Sequence, residues 1–206
     1  HDISLTIHGS YYINLASAEK PKYHASITRV GKALTAAHWI GSPSVTFHPA
    51  YYQGRTPDET TKLVKSAIEA VYANEKLMKL TGGNFALLSL ETTGKGSQWG
   101  SLEEIVALAK ELNDYYGEHR ISACIDFAHL HARSNGGWNS YDEFMKILDM
   151  VRDGIGEKAL ETLHMHVSGI NYSEKGERNH LNLEESDMKW QELLKALKEQ
   201  EVGGWL

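Results

Sequence analysis

The feature that most constrains this sequence is a series of short apolar runs, each ending in a potential metal ligand. The run Ile121–Ile125 ends in Asp126 and has the pattern of a strand buried on both faces. Other runs end in the same way at intervals of about 40 residues, enough for a strand, a helix and their connections. The residues at the five run ends are His8, His48, Glu91, Asp126 and His166. In a parallel sheet such residues meet at one edge, so the sequence predicts a site there.

Helical patterns fill the intervals between these runs. Apolar residues recur at helical spacing from about Tyr23 to Ile40, and three later segments begin with a capping-box pair. These capping boxes are Thr56–Glu59, Ser101–Glu104 and Ser140–Glu143. After the fifth strand we expect a long polar loop, Ser168–Glu185, and a last helix around Trp190–Leu197. The regular alternation predicts an α/β fold.

The length sets a limit on the architecture. We expect one domain over residues 1–206, with strands beginning near Ile3 and ending with the approach to a sixth strand at Val202–Leu206. Five complete strand–helix units do not close an eight-stranded TIM (β/α)8 barrel, which typically needs ~250 residues. Two architectures therefore stay open: a smaller open sheet, or part of a barrel lacking about three strands.

Composition narrows the class of partner only slightly. The net charge of −6 argues against a broadly basic nucleic-acid surface, although bound divalent cations would offset that charge locally. The single cysteine, Cys124, excludes an internal disulfide, fits a reducing compartment and is assigned to the core. No apolar run approaches the ~20 residues that span a bilayer, and we see no secretion leader. We therefore expect a cytoplasmic protein without membrane association.

The chemistry of the five run ends favours a metal. Any one of them could be an ordinary polar residue at a strand end, but buried carboxylates are costly without a compensating partner. Imidazoles mixed with carboxylates, without a thiolate, favour zinc, manganese or iron over magnesium. Two adjacent aromatics, Tyr11 and Tyr12, follow the first run in a segment that we expect to be exposed. The alternative is that one of them packs and the other faces solvent.

Five motifs in this order resemble the metal-binding strand ends of endonuclease IV. That family contains apurinic/apyrimidinic endonucleases with a xylose-isomerase-like barrel, and the resemblance runs over essentially the whole chain. The motifs are His8–Leu15, Phe47–Pro49, Leu90–Gly96, Cys124–His129 and Met165–Ser168. The resemblance favours the barrel, of which this chain would cover about five central strand–helix units, incomplete at both ends.

The resemblance implies a centre of up to three zinc ions, with manganese as the alternative metal. His8 and His48 would hold one ion, and Glu91 would bridge it to a second. Asp126 and His166 would hold the second ion, and Glu91 and Asp126 are the predicted catalytic residues. The third ion would be held by His129, Glu177 and His180. The family has an Asp and a His two residues apart where this chain has Glu177 and His180 three apart. His131 and His164 match no ligand in the family and are expected to support the site or lie at the surface.

The resemblance also implies a reaction and a partner. The family hydrolyses double-stranded DNA on the 5′ side of an abasic site and leaves a 3′-hydroxyl. Tyr11 and Tyr12 occupy the position of the residues that wedge into the DNA, with Tyr12 in place of an aliphatic residue. We expect the complete protein to be a monomer. Because the family has a further carboxylate ligand on its last strand, we also expect residues 1–206 to be an excerpt of a longer chain, or to be closed by a partner.

Two other functions stay open at this point. The first is a sugar isomerase or epimerase on the same barrel, which gathers similar residues at its strand ends but needs two acid/base groups beside a small sugar. The second is a relative that binds damaged DNA without cleaving it. Metal stoichiometry separates the first from the nuclease, and nicking of an abasic duplex separates the second.

Overall fold

The computed structural model describes residues 3–206, and a parallel sheet forms its centre. In chain order, the strands of this part are β1 (Ile7–His8), β2 (Ser44–Phe47), β3 (Ala50–Tyr51), β4 (Leu87–Glu91), β5 (Gln98–Trp99), β6 (Ile121–Asp126), β7 (Leu163–His166), β8 (Gly169–Ser173), β9 (Gly176–Leu181) and β10 (Gly204–Trp205). Six of these described strands lie in the order β1-β2-β4-β6-β7-β10, each parallel to its neighbour. The sheet forms a parallel half-barrel, and β10 confirms the predicted sixth strand.

Helices cover the outer face of this half-barrel. Within the described chain they are α1 (Lys20–Ile40), α2 (Pro57–Tyr72), α3 (Glu75–Thr81), α4 (Leu102–Tyr116), α5 (Phe127–Arg133), α6 (Tyr141–Ile155), α7 (Glu157–Glu161) and α8 (Trp190–Glu199). Contacts run from α1 to α2, from α2 to α4, from α4 to α6 and from α6 to α8. The buried stripes of these helices and the outward side chains of the strands form the main apolar core.

Strand alternation separates an apolar outer face from a polar inner face. Outward residues such as Val45 and Leu90 are fully buried against the helices. Thr46, Ser89 and Ser122 pair across neighbouring strands, so all three point to the inner face. Side chains two or four residues further along each strand share that face, and at the carboxyl ends they include His48, Glu91 and Asp126. The sheet register therefore brings the five run ends together.

Two of the three predicted capping boxes form as expected. The side chains of Thr56 and Ser101 accept the backbone N–H of Glu59 and Glu104, and both boxes are reciprocal. The third is wrong: the Ser140 hydroxyl donates to the Glu143 carboxylate and accepts no backbone N–H. Glu143 instead accepts the N–H groups of residues 138 and 139. A tight loop with positive φ at residues 135, 136 and 138 turns those groups toward it.

The first strand and the connection after the fifth differ from the prediction. Residues 3–6 do not pair, because Ile3 and Leu5 project into solvent; His1 and Asp2 lie outside the described residues. The predicted loop Ser168–Glu185 is largely a hairpin of β8 and β9, which we call the arm (residues 169–181). Both faces of the arm carry polar side chains, so its sequence lacks the alternation of apolar and polar residues that predicts a strand. The small sheet of β3 and β5 was also not predicted.

The stretch after Asp126 is a helix rather than a strand end. Asp126 is the N-cap of α5, and its carboxylate accepts the backbone N–H of His129 at 2.8 Å. His129 and His131 therefore lie on this short helix and not on β6. In residues 3–206 no helix combines the length and the apolar character needed to cross a bilayer.

Candidate metal centre

The carboxyl ends of the parallel strands surround a cavity of about 290 Å³. All eight residues predicted to be ligands line this cavity, and Tyr11 lies at its mouth. They are His8, His48, Glu91, Asp126, His129, His166, Glu177 and His180. The structure therefore brings together residues spread over most of the chain, including the arm residues whose spacing departs from the family pattern.

Glu91 lies at the centre of the cavity and is almost completely buried. Its Oε2 accepts from His8 Nε2 at 2.8 Å and lies 3.2 Å from His48 Nε2. Its Oε1 accepts from His166 Nδ1 at 2.9 Å. The two oxygens of one carboxylate therefore face different sets of imidazoles, which is the arrangement required of a bridging ligand.

These contacts shift the protonation of the central groups strongly. Burial alone would raise the pKa of Glu91, but hydrogen bonds from the imidazoles, first of all His166, hold that pKa well below its usual range. Burial alone would lower the pKa of His166, but polar contacts with Asp126 and its other neighbours raise it to about 12. Burial alone would lower the pKa of His8, but its hydrogen bond to Glu91, the charge of Glu91 and the contact with the Gly9 carbonyl together raise it.

Asp126 and His129 extend the cluster toward the arm. One oxygen of Asp126 caps α5, and the other lies 3.5 Å from His129 Nδ1 and 3.7 Å from His166 Nδ1. His129 Nδ1 donates to the carbonyl of Thr92 at 2.8 Å, which fixes the ring and leaves Nε2 toward the cavity. That ring position depends on both the helix cap and the loop after β4.

The Nε2 atom of His129 is the observation that best tests whether these residues fit a cation. It is buried and has no hydrogen-bond partner among the described residues. Glu177 Oε2 lies 3.7 Å away, and the ring of His180 lies 5.2 Å from the His129 ring, centre to centre. An unpaired buried acceptor beside a carboxylate and a second imidazole is costly, and a bound divalent ion removes that cost.

Besides Cys124–His164–His166, three potential ligand groups can be drawn from the residues that line the cavity, and neighbouring groups of these three share a carboxylate. The ligand atoms within each group lie within 4.8 Å of one another. The groups are His8–His48–Glu91, Glu91–Asp126–His166 and Asp126–His129–His180. Glu91 links the first two, as predicted, and Asp126 links the last two, which was not predicted. The residues present therefore fit a cluster of divalent ions.

Tyr11 and Tyr12 have different positions although both are exposed. The Tyr11 ring lies over the cavity mouth, 5.4 Å from the His8 ring and 5.9 Å from the His48 ring, centre to centre. Tyr12 points away from the cavity, with the Arg29 guanidinium 5.9 Å above its ring. The alternative that one of the two packs in the core is wrong, since both exceed three-quarters exposed.

Three further polar residues lie behind the cavity wall. Cys124 is buried as predicted, and its Sγ lies 3.9 Å from each ring nitrogen of His166. His164 is buried and bonded to the Ser44 hydroxyl at 2.9 Å, and burial lowers its pKa to about 4. His131 is completely buried, so neither His131 nor His164 is a surface residue. Thr92, whose carbonyl orients His129, was not predicted to belong to the site. The only sequence signal for it is its position directly after Glu91.

The fold and the cavity together define a class of protein. A parallel α/β half-barrel with histidines and carboxylates at the carboxyl ends of its strands is typical of barrel enzymes that bind metals. The chain belongs to the xylose isomerase-like TIM barrel family, whose model matches residues 1–206. The predicted barrel fold is therefore confirmed.

The similar proteins support the resemblance to endonuclease IV. The chain is 38% identical over 203 residues to an uncharacterized protein of Methanocaldococcus jannaschii, covering 98% of this chain and 70% of that protein. It is 29% identical over 167 residues to the probable endonuclease 4 of Thermoplasma volcanium, covering 81% and 53%. The chain thus spans about half to 70% of the length of these relatives.

Solved structures agree on the fold. The endonuclease IV from Thermus thermophilus superposes with a TM-score of 0.70 at 19% identity, covering 98% of this chain and 67% of that one. A D-tagatose 3-epimerase-like protein superposes with a TM-score of 0.74 at 18% identity, covering 100% and 70%. Since one barrel serves both chemistries, the fold alone does not choose between them.

Proposed function

We propose that the protein is a metal-dependent phosphodiesterase that cleaves double-stranded DNA on the 5′ side of abasic sites and leaves a 3′-hydroxyl. The observation that supports this best is the sharing of Glu91 and Asp126 among three ligand groups, which suits a cluster of up to three ions. A sugar isomerase or epimerase needs fewer ions and two free acid/base groups. Relatives named probable endonuclease 4 point to the same activity.

We assign the ligands as the family resemblance implied. His8 and His48 would hold the first ion, Asp126 and His166 the second, and Glu91 would bridge the two. His129, Glu177 and His180 would hold the third ion, with the free oxygen of Asp126 facing it. Zinc suits this donor set best and manganese is the alternative. Bound divalent ions supply water of lowered pKa and stabilise charge on the attacking and leaving oxygens of a phosphodiester.

The side chains themselves prepare the site for this reaction. Hydrogen bonds from the imidazoles, first of all His166, hold the pKa of buried Glu91 well below its usual range, so Glu91 can act as a charged ligand. One oxygen of Asp126 accepts the backbone N–H of His129, which leaves the other oxygen toward the cavity. The Thr92 carbonyl fixes the orientation of His129. Ser168 lines the cavity, but its hydroxyl lies 2.7 Å from Nδ1 of His180, a ligand assigned to the third ion. We therefore assign the attack on the phosphodiester to water and not to a protein group.

The cavity fits a nucleotide taken out of the duplex rather than the duplex itself. A volume of about 290 Å³ accommodates one deoxyribose phosphate without a base. Abasic DNA kinks readily and releases that sugar at low cost, since no base pair has to be broken. We propose that Tyr11 and Tyr12 contact the bases that flank the gap, where an aromatic ring can replace lost stacking.

One experiment tests this proposal against its rivals. Purified protein is analysed for bound zinc and manganese and is then incubated with an end-labelled duplex that contains one abasic site. The matched control is the same duplex with an intact base. We expect a nick on the 5′ side of the lesion whose 3′ end primes a DNA polymerase, and loss of nicking after treatment with a chelator.

Each rival gives a different result in the same assay. Epimerisation of D-tagatose without nicking would identify a sugar epimerase. Specific binding to the abasic duplex with bound metal but no cleavage would identify a damaged-DNA binder. Either result would refute the phosphodiesterase.

A further inference from the structure

The arm is structurally separate from the half-barrel that supports the other ligands. It forms its own two-stranded sheet, and most side chains of β9 are partly or fully exposed. Its apolar contact with the body is a small cluster of Ile170 with Ala128 and Ala132 of α5, against which Tyr172 packs. A short strand pair with so little buried apolar surface is not stable by itself. Its position must depend on specific contacts.

On one side, three polar side chains fasten the arm to α5. Asp187 Oδ2 accepts the hydroxyl of Tyr172, which belongs to the arm, at 2.7 Å. Asp187 Oδ1 lies 3.0 Å from Nε2 of His131, which belongs to α5. The other ring nitrogen of His131 contacts the carbonyl of Gly137 at 2.8 Å. We call His131, Tyr172 and Asp187 the latch.

The latch joins a buried imidazole to a carboxylate whose side chain is 59% exposed. His131 is completely buried, and the Tyr172 ring stands edge-on to it at 4.9 Å, centre to centre. If Asp187 is removed, a buried ring nitrogen loses its partner, and such a loss costs far more than a solvent-exposed contact. Asp187 also lies on the segment that leaves the arm, where its backbone carbonyl accepts from Asn139 at 2.9 Å.

On the other side, the tip of the arm rests on the loop after β4. The backbone N–H of Glu177 donates to the carbonyl of Gly94 at 2.9 Å. A Cβ on Gly94 would lie 2.7 Å from the Glu177 side chain, and Gly176 has φ +91° at the turn. This close approach aims the Glu177 carboxylate at His129 Nε2. The arm is therefore held at both sides of the two ligands it carries.

We propose that the latch controls how tightly the third ion is held. This inference rests on the proposed function, because it assumes that Glu177 and His180 are ligands. His131, Tyr172 and Asp187 are positioning residues: they touch no ion, but they place two of its ligands against His129. The first and second ions are held by strand ends and do not depend on the latch.

The test measures the affinity of each ion in the full chain. Zinc is titrated into metal-free protein in competition with a chelator, for the wild type and for Asp187→Ala and Tyr172→Phe. We expect the third ion to bind roughly 10- to 100-fold more weakly in both variants, as for other residues that orient a ligand, with the first two unchanged. Asp187→Asn can still bond to both partners and should restore binding.

Controls separate the latch from general damage. Tyr172→Phe keeps the ring against α5 and removes only the hydroxyl, so it should fold even if Asp187→Ala does not. Asp114→Ala removes an exposed carboxylate that pairs with Lys110 on α4, and it should leave all affinities unchanged. Circular dichroism of each variant records folding.

Three outcomes would overturn the latch: wild-type affinity for the third ion in folded Tyr172→Phe, equal weakening of all three ions, or a wild type that binds fewer than three. Nicking of abasic DNA is measured separately. If the wild type holds three ions and the latch variants lose one, but no variant nicks DNA, the latch stands and the phosphodiesterase is refuted.

Discussion

The two ends of the metal centre are built in different ways. His8 ends β1 and His48 follows β2, and the register of β1, β2 and β4 brings both to Glu91. His129, Glu177 and His180 lie on a short helix and on the arm, and they meet only because other residues hold those elements in place. We call the first pair the strand-end ligands and the second group the arm-side ligands.

The two groups of ligands are therefore positioned in two ways, one by the sheet and one by individual polar contacts. The sheet sets the positions of the strand-end ligands, and the main apolar core stabilises the sheet. Arm-side ligands need a helix cap, the Thr92 carbonyl and the latch, each of which is a separate polar contact. We therefore expect the strand-end ligands to tolerate changes in their surroundings and the arm-side ligands to respond to them.

The largest effect is expected at the carboxylate that bridges the first and second ions. Glu91→Gln removes the charge that both oxygens supply, so the first and second ions should be lost and the third kept. Loss of an outer contact to a ligand already costs roughly 10- to 100-fold in affinity, so loss of the bridging carboxylate should cost at least ~100-fold. Metal analysis and nicking assays measure this. Glu103→Gln, an exposed change on α4, is the control; full metal content in Glu91→Gln would refute the bridge.

A pair of histidine changes sharpens the comparison. His48→Ala and His129→Ala should each remove one ion, and His129→Ala should destabilise the metal-free fold more. The His129 side chain is 2% exposed and donates to the Thr92 carbonyl, whereas that of His48 is 19% exposed. Leaving a buried carbonyl unpaired costs about 1–3 kcal/mol in the free energy of unfolding. Urea denaturation of both variants without metal checks this, and equal destabilisation would count against it.

The aromatic pair at the cavity mouth should affect DNA and not metal. Changing Tyr11 and Tyr12 together to Ala should weaken binding of an abasic duplex by about 1–3 kcal/mol for each stacked base, with metal content unchanged. Tyr11→Ala should have the larger effect, because Tyr11 lies over the cavity and Tyr12 faces Arg29. If hydrolysis of a small phosphodiester falls as much as DNA cleavage does, the tyrosines are structural.

The smallest effect expected is a change in pH dependence on loading with zinc. The pKa of Glu91 is lowered from 4.5, so its contribution to stability is present above pH 4.5 and is lost as the pH falls. The pKa of His166 is raised from 6.5 to about 12, so its contribution is full below pH 6.5 and is lost as the pH rises toward 12. This network should stabilise the metal-free protein most between pH 4.5 and pH 6.5.

Zinc should reverse that dependence above pH 6.5, because ion binding displaces protons from the imidazoles. Thermal unfolding with and without zinc measures the difference. We expect the gain from zinc to grow between about pH 6 and 8. A gain that is constant over this range would mean that the ions do not replace those protons.

Much of the fold could be predicted because it repeats. Strands β2, β4, β6 and β7 are short, mostly buried segments with recurring apolar residues, and the capping boxes at Thr56 and Ser101 mark helix starts by local chemistry. The arm could not be predicted in this way, since exposed polar strands show no hydrophobic period. The capping box predicted at Ser140 is wrong for a related reason. The contacts of Ser140 and Glu143 depend on a preceding loop with positive φ, and no sequence motif predicts that loop.

Some residues of the candidate site could likewise be predicted from the sequence, and others could not. The strand-end ligands follow from the position of a polar residue after an apolar run, and the grouping of Glu177 and His180 with them came only from the family resemblance. Asp187 and Tyr172 carry no sequence signal, because their importance comes from a contact with a buried histidine distant in sequence. The single-domain organisation, the ligand roles and the monomeric state stay predictions.

Asp126 contacts both the backbone of α5 and the cavity, so hydrogen exchange at the backbone should report on occupancy of the cavity. One of its oxygens holds the backbone N–H of His129, and the other faces the cavity. An ion on the second oxygen fixes the carboxylate and so prolongs the first bond. Deuterium uptake at that one amide should therefore slow as ions fill the cavity, in proportion to the occupied fraction. Zinc has no visible spectrum of its own, so the isotope content of a short peptide around His129 would make its residence time measurable.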